Sequence, residues 1–175
     1  ETNNKRSIHN YQLSGKEISY NNIIDIDSGY ECLLEFKEPT CVIIKHTNPC
    51  AVASAKNIEQ AFLNAFKSDK KSSFGGIVLL NRAINLKLAN LINKSFFEVI
   101  ASPSFKKNSI NVLKKRKNLI LFKLNKVNLK KTRFRSTIFG KLTQIDGNYK
   151  INNQFLRLAS KRKASKKFIE DLIFS

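Results

Sequence analysis

The stretch Thr40-Cys41-Val42-Ile43-Ile44-Lys45-His46-Thr47-Asn48-Pro49-Cys50 carries the most structural information in this chain. Thr40 to Ile44 is a short, largely β-branched run without a charge, which suits a strand buried on both faces of a sheet. It stops at Lys45-His46-Thr47-Asn48-Pro49, where Asn and Pro predict a loop. Upstream, Ile23, Ile26, Tyr30, Leu33 and Leu34 recur at three- and four-residue spacing and predict a helix over 23–36. Asp25 and Asp27 fall near its start, where the helix dipole favours acidic side chains. Asn22 stands just ahead of it as a helix-start residue.

Downstream the same alternation continues. A helix is predicted over 57–66, a continuous apolar strand over 76–80, a helix over 86–93, a strand over 97–101 bounded by Pro103, a helical segment over 109–116 and a strand over 118–122. Four strands separated by helical segments predict an α/β layer with mainly parallel pairing. Beyond Lys123 the pattern changes to a hairpin, with its turn expected at Asp146-Gly147-Asn148. Lys166 to Ser175 reads as an amphipathic helix on Phe168, Ile169, Leu172 and Ile173. No repeat, low-complexity linker or domain boundary is evident, so one unit is expected. The start at Glu1 and the uncapped final helix lead us to expect a fragment of a longer protein.

With 175 residues and 42% hydrophobic content, the chain can bury a core of ordinary domain size. Its apolar runs are far shorter than the roughly 20 residues of a membrane span. No secretion signal opens it, and a cytoplasmic location is expected. Cys32, Cys41 and Cys50 are odd in number and fit no disulfide framework, so free thiols are expected. The formal charge of +19 is uneven: residues 1–103 carry 12 Lys and Arg against 10 Asp and Glu, while residues 104–175 carry 20 against 3. A basic nucleic-acid-binding domain is thereby raised as an alternative. The basic half nevertheless lacks an aromatic-interleaved RNA-recognition motif and a helix-turn-helix pattern, and a Lys-rich solvated surface accounts for it better than attraction of anionic ligands or nucleic acid does.

Chemistry is most plausible at Lys45 and His46, together at the end of the buried strand, since α/β folds place ligands at strand ends. An imidazole can take a proton near neutral pH, while an ammonium can stabilise developing negative charge or protonate a leaving nitrogen. On its own, the pair reads more readily as solvated surface than as a catalytic centre. Ser72-Ser73-Phe74-Gly75-Gly76 would let backbone approach a ligand closely, or simply make a tight turn into a strand; it has neither G-x-G-x-x-G spacing nor a P-loop lysine. Glu98, acidic within an apolar strand, is either an outward-facing position or a binding group. A zinc site on His46 and Cys50 fails the H-x-E and P-C-x-x-C pattern, because Thr47-Asn48 follows His46 and Ala53 stands three after Cys50. No metal is therefore expected.

In order along the chain, Gln12-Leu13-Ser14-Gly15-Lys16-Glu17-Ile18-Ser19-Tyr20-Asn21-Asn22-Ile23 resembles Q-L-x-G-K-E-L-S-Y-N-N-I. Ile44 to Cys50 resembles V-K-H-x-N-P-C, Asp69 to Arg82 is similar to D-P-x-S-A-F-G-G-I-x-x-x-N-R, and Phe97 to Ala101 to F-x-E-V-I-x-A-P. These are motifs of the AICAR transformylase region of the bifunctional AICAR transformylase/IMP cyclohydrolase family. The resemblance is strong over the first 105 residues or so, and looser through Arg135 to Gln144 and Leu156 to Arg162.

This resemblance implies a cytidine-deaminase-like layered α/β fold, the first of two copies in the transformylase region. Residues 1–175 would then be the N-terminal part of that region, without the second copy or the cyclohydrolase domain. It implies formyl transfer from 10-formyltetrahydrofolate to the exocyclic amine of AICAR without a metal. His46 would move the proton and Lys45 would stabilise the tetrahedral intermediate or protonate the departing folate nitrogen. Asn22, Gly75 and Glu98 would contact the nucleotide. The family's sites are assembled from both copies and across a homodimer, so this chain alone is expected to be inactive. A non-catalytic nucleotide- or folate-binding module is the alternative within the same resemblance. Ala51 and Lys70 depart from the glycine and proline of the family pattern, and R-Y-G-x-N-P-H-Q, expected ahead of this region, is not in the sequence.

Overall fold

The computed structural model describes residues 8–125, 132–145 and 152–174. The chain divides into two compact units, Glu1–Asn128 and Leu129–Ser175. The expectation of one unit is thus corrected.

In the first unit a six-stranded sheet runs in the order β1-β6-β5-β4-β2-β3. Its strands are β1 (Gln12–Ser14), β2 (Thr40–Lys45), β3 (Asn48–Ser54), β4 (Ile77–Leu80), β5 (Val99–Ser102) and β6 (Ile120–Lys123). Only β4, β5 and β6 pair in parallel; β2 is antiparallel to both β3 and β4, and β1 to β6. The expected mainly parallel sheet is therefore mixed. The reason lies at Asn48-Pro49, which opens a strand instead of a loop. Pro49 sits on β3, the edge strand, where a missing N–H leaves no interior ladder position unfilled. With two residues between them, β2 and β3 have no choice but to run antiparallel.

Helices cover both faces. On one, Cys41, Ile43, Val78, Leu80, Ile100 and Leu121 pack with residues of α2 (Ile58–Ser68), α4 (Leu86–Ile92) and α5 (Lys107–Leu113). The alternate residues Val42, Ile44, Ile77, Leu79, Val99 and Ile120 pack with Ile26 and Leu33 of α1 (Tyr20–Leu34) on the other. Double coverage explains why these strands read as unbroken apolar runs. Gly29 lets α1 lie close to the sheet: a Cβ there would come within 2.5 Å of Leu79 Cδ1 and 3.1 Å of Ile44 Cγ2. Cys41 is buried, Cys32 and Cys50 are half-buried, and all three are free. α3 (Lys70–Ser73) is a single turn leading into β4.

The second unit holds an antiparallel hairpin of β7 (Thr132–Thr137) and β8 (Gly140–Ile145), and α6 (Lys166–Phe174). The chain reverses at Ile138-Phe139, ahead of the expected Asp146-Gly147-Asn148, which lies outside the described residues. Gly140 takes φ +122°, and Thr137 Oγ1 accepts from Phe139 N at 3.2 Å, so this turn has its own means of closing.

Candidate active site

The register of the sheet brings the candidate residues to one of its ends. Ile44 of β2 lies opposite Ile77, Ile77 opposite Val99, Val99 opposite Ile120, and Leu121 opposite Ser14. β1 and β2 therefore finish where β4, β5 and β6 begin. Lys45-His46, Gly75-Gly76 and Glu98 come from three separate stretches of chain and meet at this end. For the parallel strands it is the N-terminal end, opposite to where open parallel sheets usually bind ligands; the antiparallel β1 and β2 present their C-termini here.

Hydrogen bonds link the group. Lys45 Nζ donates to Phe74 O at 3.1 Å, fastening the end of β2 to the glycine loop. Gly75 N donates to Phe96 O at 2.9 Å, and Glu98 N to Gly76 O at 3.1 Å. Asn22 Nδ2 donates to Glu98 Oε2 at 3.3 Å. Asn22 is buried and lies inside α1, where it forms a capping box with Ser19: its N–H donates to Ser19 Oγ at 3.2 Å, and its Oδ1 accepts from Ser19 N at 3.3 Å. The helix thus begins earlier than the apolar spacing suggested, because polar capping residues supply its first turn. Glu98 immediately precedes β5, half-exposed, with Lys16 Nζ 3.9 Å from its carboxylate. Gly75 adopts φ +70°, a conformation that L side chains avoid.

His46 and Thr47 form the two-residue connection between β2 and β3, and both have positive φ, +53° and +64°. The primed turns that join such hairpins demand this conformation and ordinarily use Asn-Gly. A β-branched Thr there is strained. Contacts around the turn hold it: Thr47 N donates to Asp25 Oδ1 of α1 at 2.6 Å, and Asn48 Nδ2 to His46 O at 3.1 Å. With α1 beginning at Tyr20, Asp25 lies beyond its first turn and serves this contact in place of the expected dipole position. The His46 side chain is exposed and makes no hydrogen bond among the described residues. Its ring is free to meet a ligand.

A cavity of about 340 Å³ opens at the same end, lined in part by Lys16, Phe96, Glu98, Arg116 and Lys117. Arg116 is fixed by donating to Ser95 O at 2.8 Å, with its guanidinium 5.7 Å from the Phe96 ring centroid. Three cations around one carboxylate favour an anionic ligand. Neither Arg116 nor Lys117 stood out in the sequence, because they sit in a run of basic residues, Lys114 to Lys117. A larger cavity of about 1110 Å³ lies in the second unit between the loosely matching stretch from Leu156 and α6, and it contains none of the candidate residues Asn22, Lys45, His46, Gly75 or Glu98. Among the described residues, no group of three or more His, Cys, Asp or Glu side chains could hold a metal ion. The Cys50 thiol, near this end, donates to Ile43 O at 3.4 Å, and burial pushes its pKa up, which disfavours the reactive thiolate.

Fold and site together define an α/β protein with a strained, exposed His46-Thr47 turn next to Lys45, at the same end of the sheet as a basic cavity. The chain belongs to the AICARFT/IMPCHase bienzyme family, whose family model it matches over residues 1–175. It is 44% identical over 166 residues to the bifunctional purine biosynthesis protein PurH of Caldicellulosiruptor bescii, covering 94% of this chain and 32% of the relative. It is 42% identical over 164 residues to that of Thermoanaerobacter sp., with the same coverage. The chain spans about a third of the length of these curated relatives. Among solved structures, the dCMP deaminase of cyanophage S-TIM5 is similar at a TM-score of 0.45 and 10% identity, over 61% of this chain and all of that one. No described helix is long and apolar enough to cross a membrane.

Proposed function

We propose that this chain is the N-terminal part of an AICAR transformylase region with a cytidine-deaminase-like fold, the first of two copies. In the complete, cytoplasmic, homodimeric protein it would take part in transferring a formyl group from 10-formyltetrahydrofolate to AICAR. The observation that carries this reading is the hydrogen-bonded path from Lys45 through the Gly75 loop to Glu98 and Asn22, which joins the four strongly matching segments of the first unit at one end of the sheet.

The exocyclic amine of AICAR is a poor nucleophile, because its lone pair is delocalised toward the neighbouring carboxamide. Attack on the formyl carbon therefore calls for a base, and His46, exposed and unpartnered by the described residues, removes the amine proton as the C–N bond forms. Lys45 stabilises the resulting oxyanion or protonates the folate nitrogen as its bond to the formyl carbon breaks. Asn22, Glu98 and the Gly75 backbone bind the nucleotide.

The test is an assay of the full-length polypeptide containing this segment for AICAR-dependent release of tetrahydrofolate from 10-formyltetrahydrofolate. Turnover that disappears on His46→Ala supports the proposal. Tight nucleotide binding without any turnover would select the non-catalytic module instead. The isolated 175-residue chain should bind weakly and turn nothing over.

A further inference from the structure

We propose that Asp25 is the positioning residue of the catalytic turn, holding Thr47, and through it His46, in the left-handed backbone conformation; this rests on the assignment of His46 given above. Asp25 comes from the middle of α1, on an element separate from the turn. Its Oδ1 accepts from Thr47 N at 2.6 Å, the one side chain from outside residues 45–48 that the described hydrogen bonds bring to this turn. The turn's own polar groups work differently. Thr47 Oγ1 and Asn48 Nδ2 both donate to His46 O, at 2.6 and 3.1 Å, and so leave the Thr47 N–H to Asp25.

Two consecutive residues with positive φ and a side chain are unfavourable by themselves, and the surrounding structure must over-determine them if they are to persist. α1 is well placed to do that. Gly29 seats it tightly on Leu79 and Ile44, and Asn22 links its first turn to Glu98. Asp25 therefore joins the Lys-His turn to the same rigid helix that carries the binding residue Asn22. Proton transfer demands a base held at hydrogen-bonding distance from its target, and a displacement of about 1 Å can cost about 100-fold in rate. An Asp that merely decorated the helix surface would have no such effect.

The experiment compares Asp25→Ala, Asp25→Asn, Thr47→Gly and the double variant Asp25→Ala/Thr47→Gly in the full-length polypeptide. Asp25→Ala should lower kcat for formyl transfer by about 10- to 100-fold while KM for AICAR changes little, because the amine's base is misplaced and the nucleotide contacts remain. Asp25→Asn should keep most of the activity, since an amide oxygen also accepts from Thr47 N. Adding Thr47→Gly to Asp25→Ala should recover much of the loss, because glycine takes positive φ without an anchor. In a His46→Ala background, Asp25→Ala should do nothing further.

Normal kcat in Asp25→Ala would overturn the proposal, as would a loss that neither Asn nor Thr47→Gly repairs. If His46→Ala itself kept normal turnover, the functional assignment would fail, and the kinetics would say nothing against the anchor. The anchor has a separate readout in hydrogen exchange of the Thr47 amide. Protection in the unmodified chain that is lost in Asp25→Ala supports it. A Thr47 amide that exchanges at the free, exposed rate in the unmodified chain would overturn it even if Asp25→Ala proved too unstable to purify.

Discussion

The two units each contain a hairpin joined by two residues, and the two connections are built in opposite ways. In the β7–β8 hairpin the means are local: Gly140 supplies the unusual φ, and the Thr137 hydroxyl accepts from Phe139 N and donates to Gly140 O at 3.0 Å. Ile138 and Phe139 at its tip are each 93% exposed. The β2–β3 connection has no glycine, places His46 and Thr47 at positive φ, and depends on Asp25 from α1, while Lys45 beside it reaches Phe74. A turn that closes by itself is free to vary in sequence. A turn that must be held from outside is a costly arrangement, and it persists where the residues it displays have a use.

The largest effect that would sharpen this contrast is His46→Ala in the full-length polypeptide. Removing a general base should lower formyl-transfer turnover by about 10²- to 10⁴-fold and leave nucleotide affinity nearly intact. Lys45→Ala should weaken both, since its ammonium can attract an anionic substrate as well as the developing oxyanion, and Lys45→Arg should restore little because a planar fork does not replace a compact ammonium. The pair of alanine substitutions should be non-additive in steady-state kinetics. Normal turnover in His46→Ala would remove the functional reason for the strained turn.

A smaller effect is expected in the other hairpin. Gly140→Ala meets no atom within 4 Å, so any cost comes from its φ of +122° alone. It should weaken the hairpin by about 1 to 3 kcal/mol, measured by hydrogen exchange of the β7 and β8 amides. An unchanged exchange rate would show that this turn does not depend on glycine.

Much of this arrangement was legible beforehand, and the misses share a cause. The apolar runs Thr40–Ile44 and Gly76–Leu80 marked central strands because burial on both faces leaves no room for polar residues. Ile26 and Leu33 marked the buried side of α1, but its start was read late because Ser19 and Asn22 act by capping, which apolar periodicity does not record. Asn48-Pro49 reads as a loop but opens a strand, because proline's prohibition applies to interior strands and lapses at an edge. Among site residues, Lys45, His46, Asn22, Gly75 and Glu98 were all named from motifs. The Asn22–Glu98 contact, across 76 positions, is visible only once the chain is folded. Asp25 reads from the sequence as a helix-dipole residue, because a local rule cannot see its partner in the distant β2–β3 turn.

The smallest effect, and the most direct measure of strain in the His46-Thr47 turn, is Thr47→Gly. Two terms compete. Relieving a β-branched residue from positive φ should stabilise the fold by about 1 to 3 kcal/mol. Glycine loosens the unfolded chain, and the loss of that freedom on folding should take back about 0.4 to 1 kcal/mol. Thr47 is exposed, so little buried surface is lost with its methyl group. The hydroxyl's hydrogen bond to His46 O disappears, but Asn48 Nδ2 still satisfies that carbonyl at 3.1 Å. Strain relief should therefore win, and the substitution should raise stability by about 1 kcal/mol in denaturant unfolding. The matching change in the second hairpin, Gly140→Ala, moves in the opposite direction. If Thr47→Gly were destabilising, Asp25 and the neighbouring contacts would have to favour the left-handed conformation so strongly that no strain remained to be relieved, and the two hairpins would differ less than their sequences suggest.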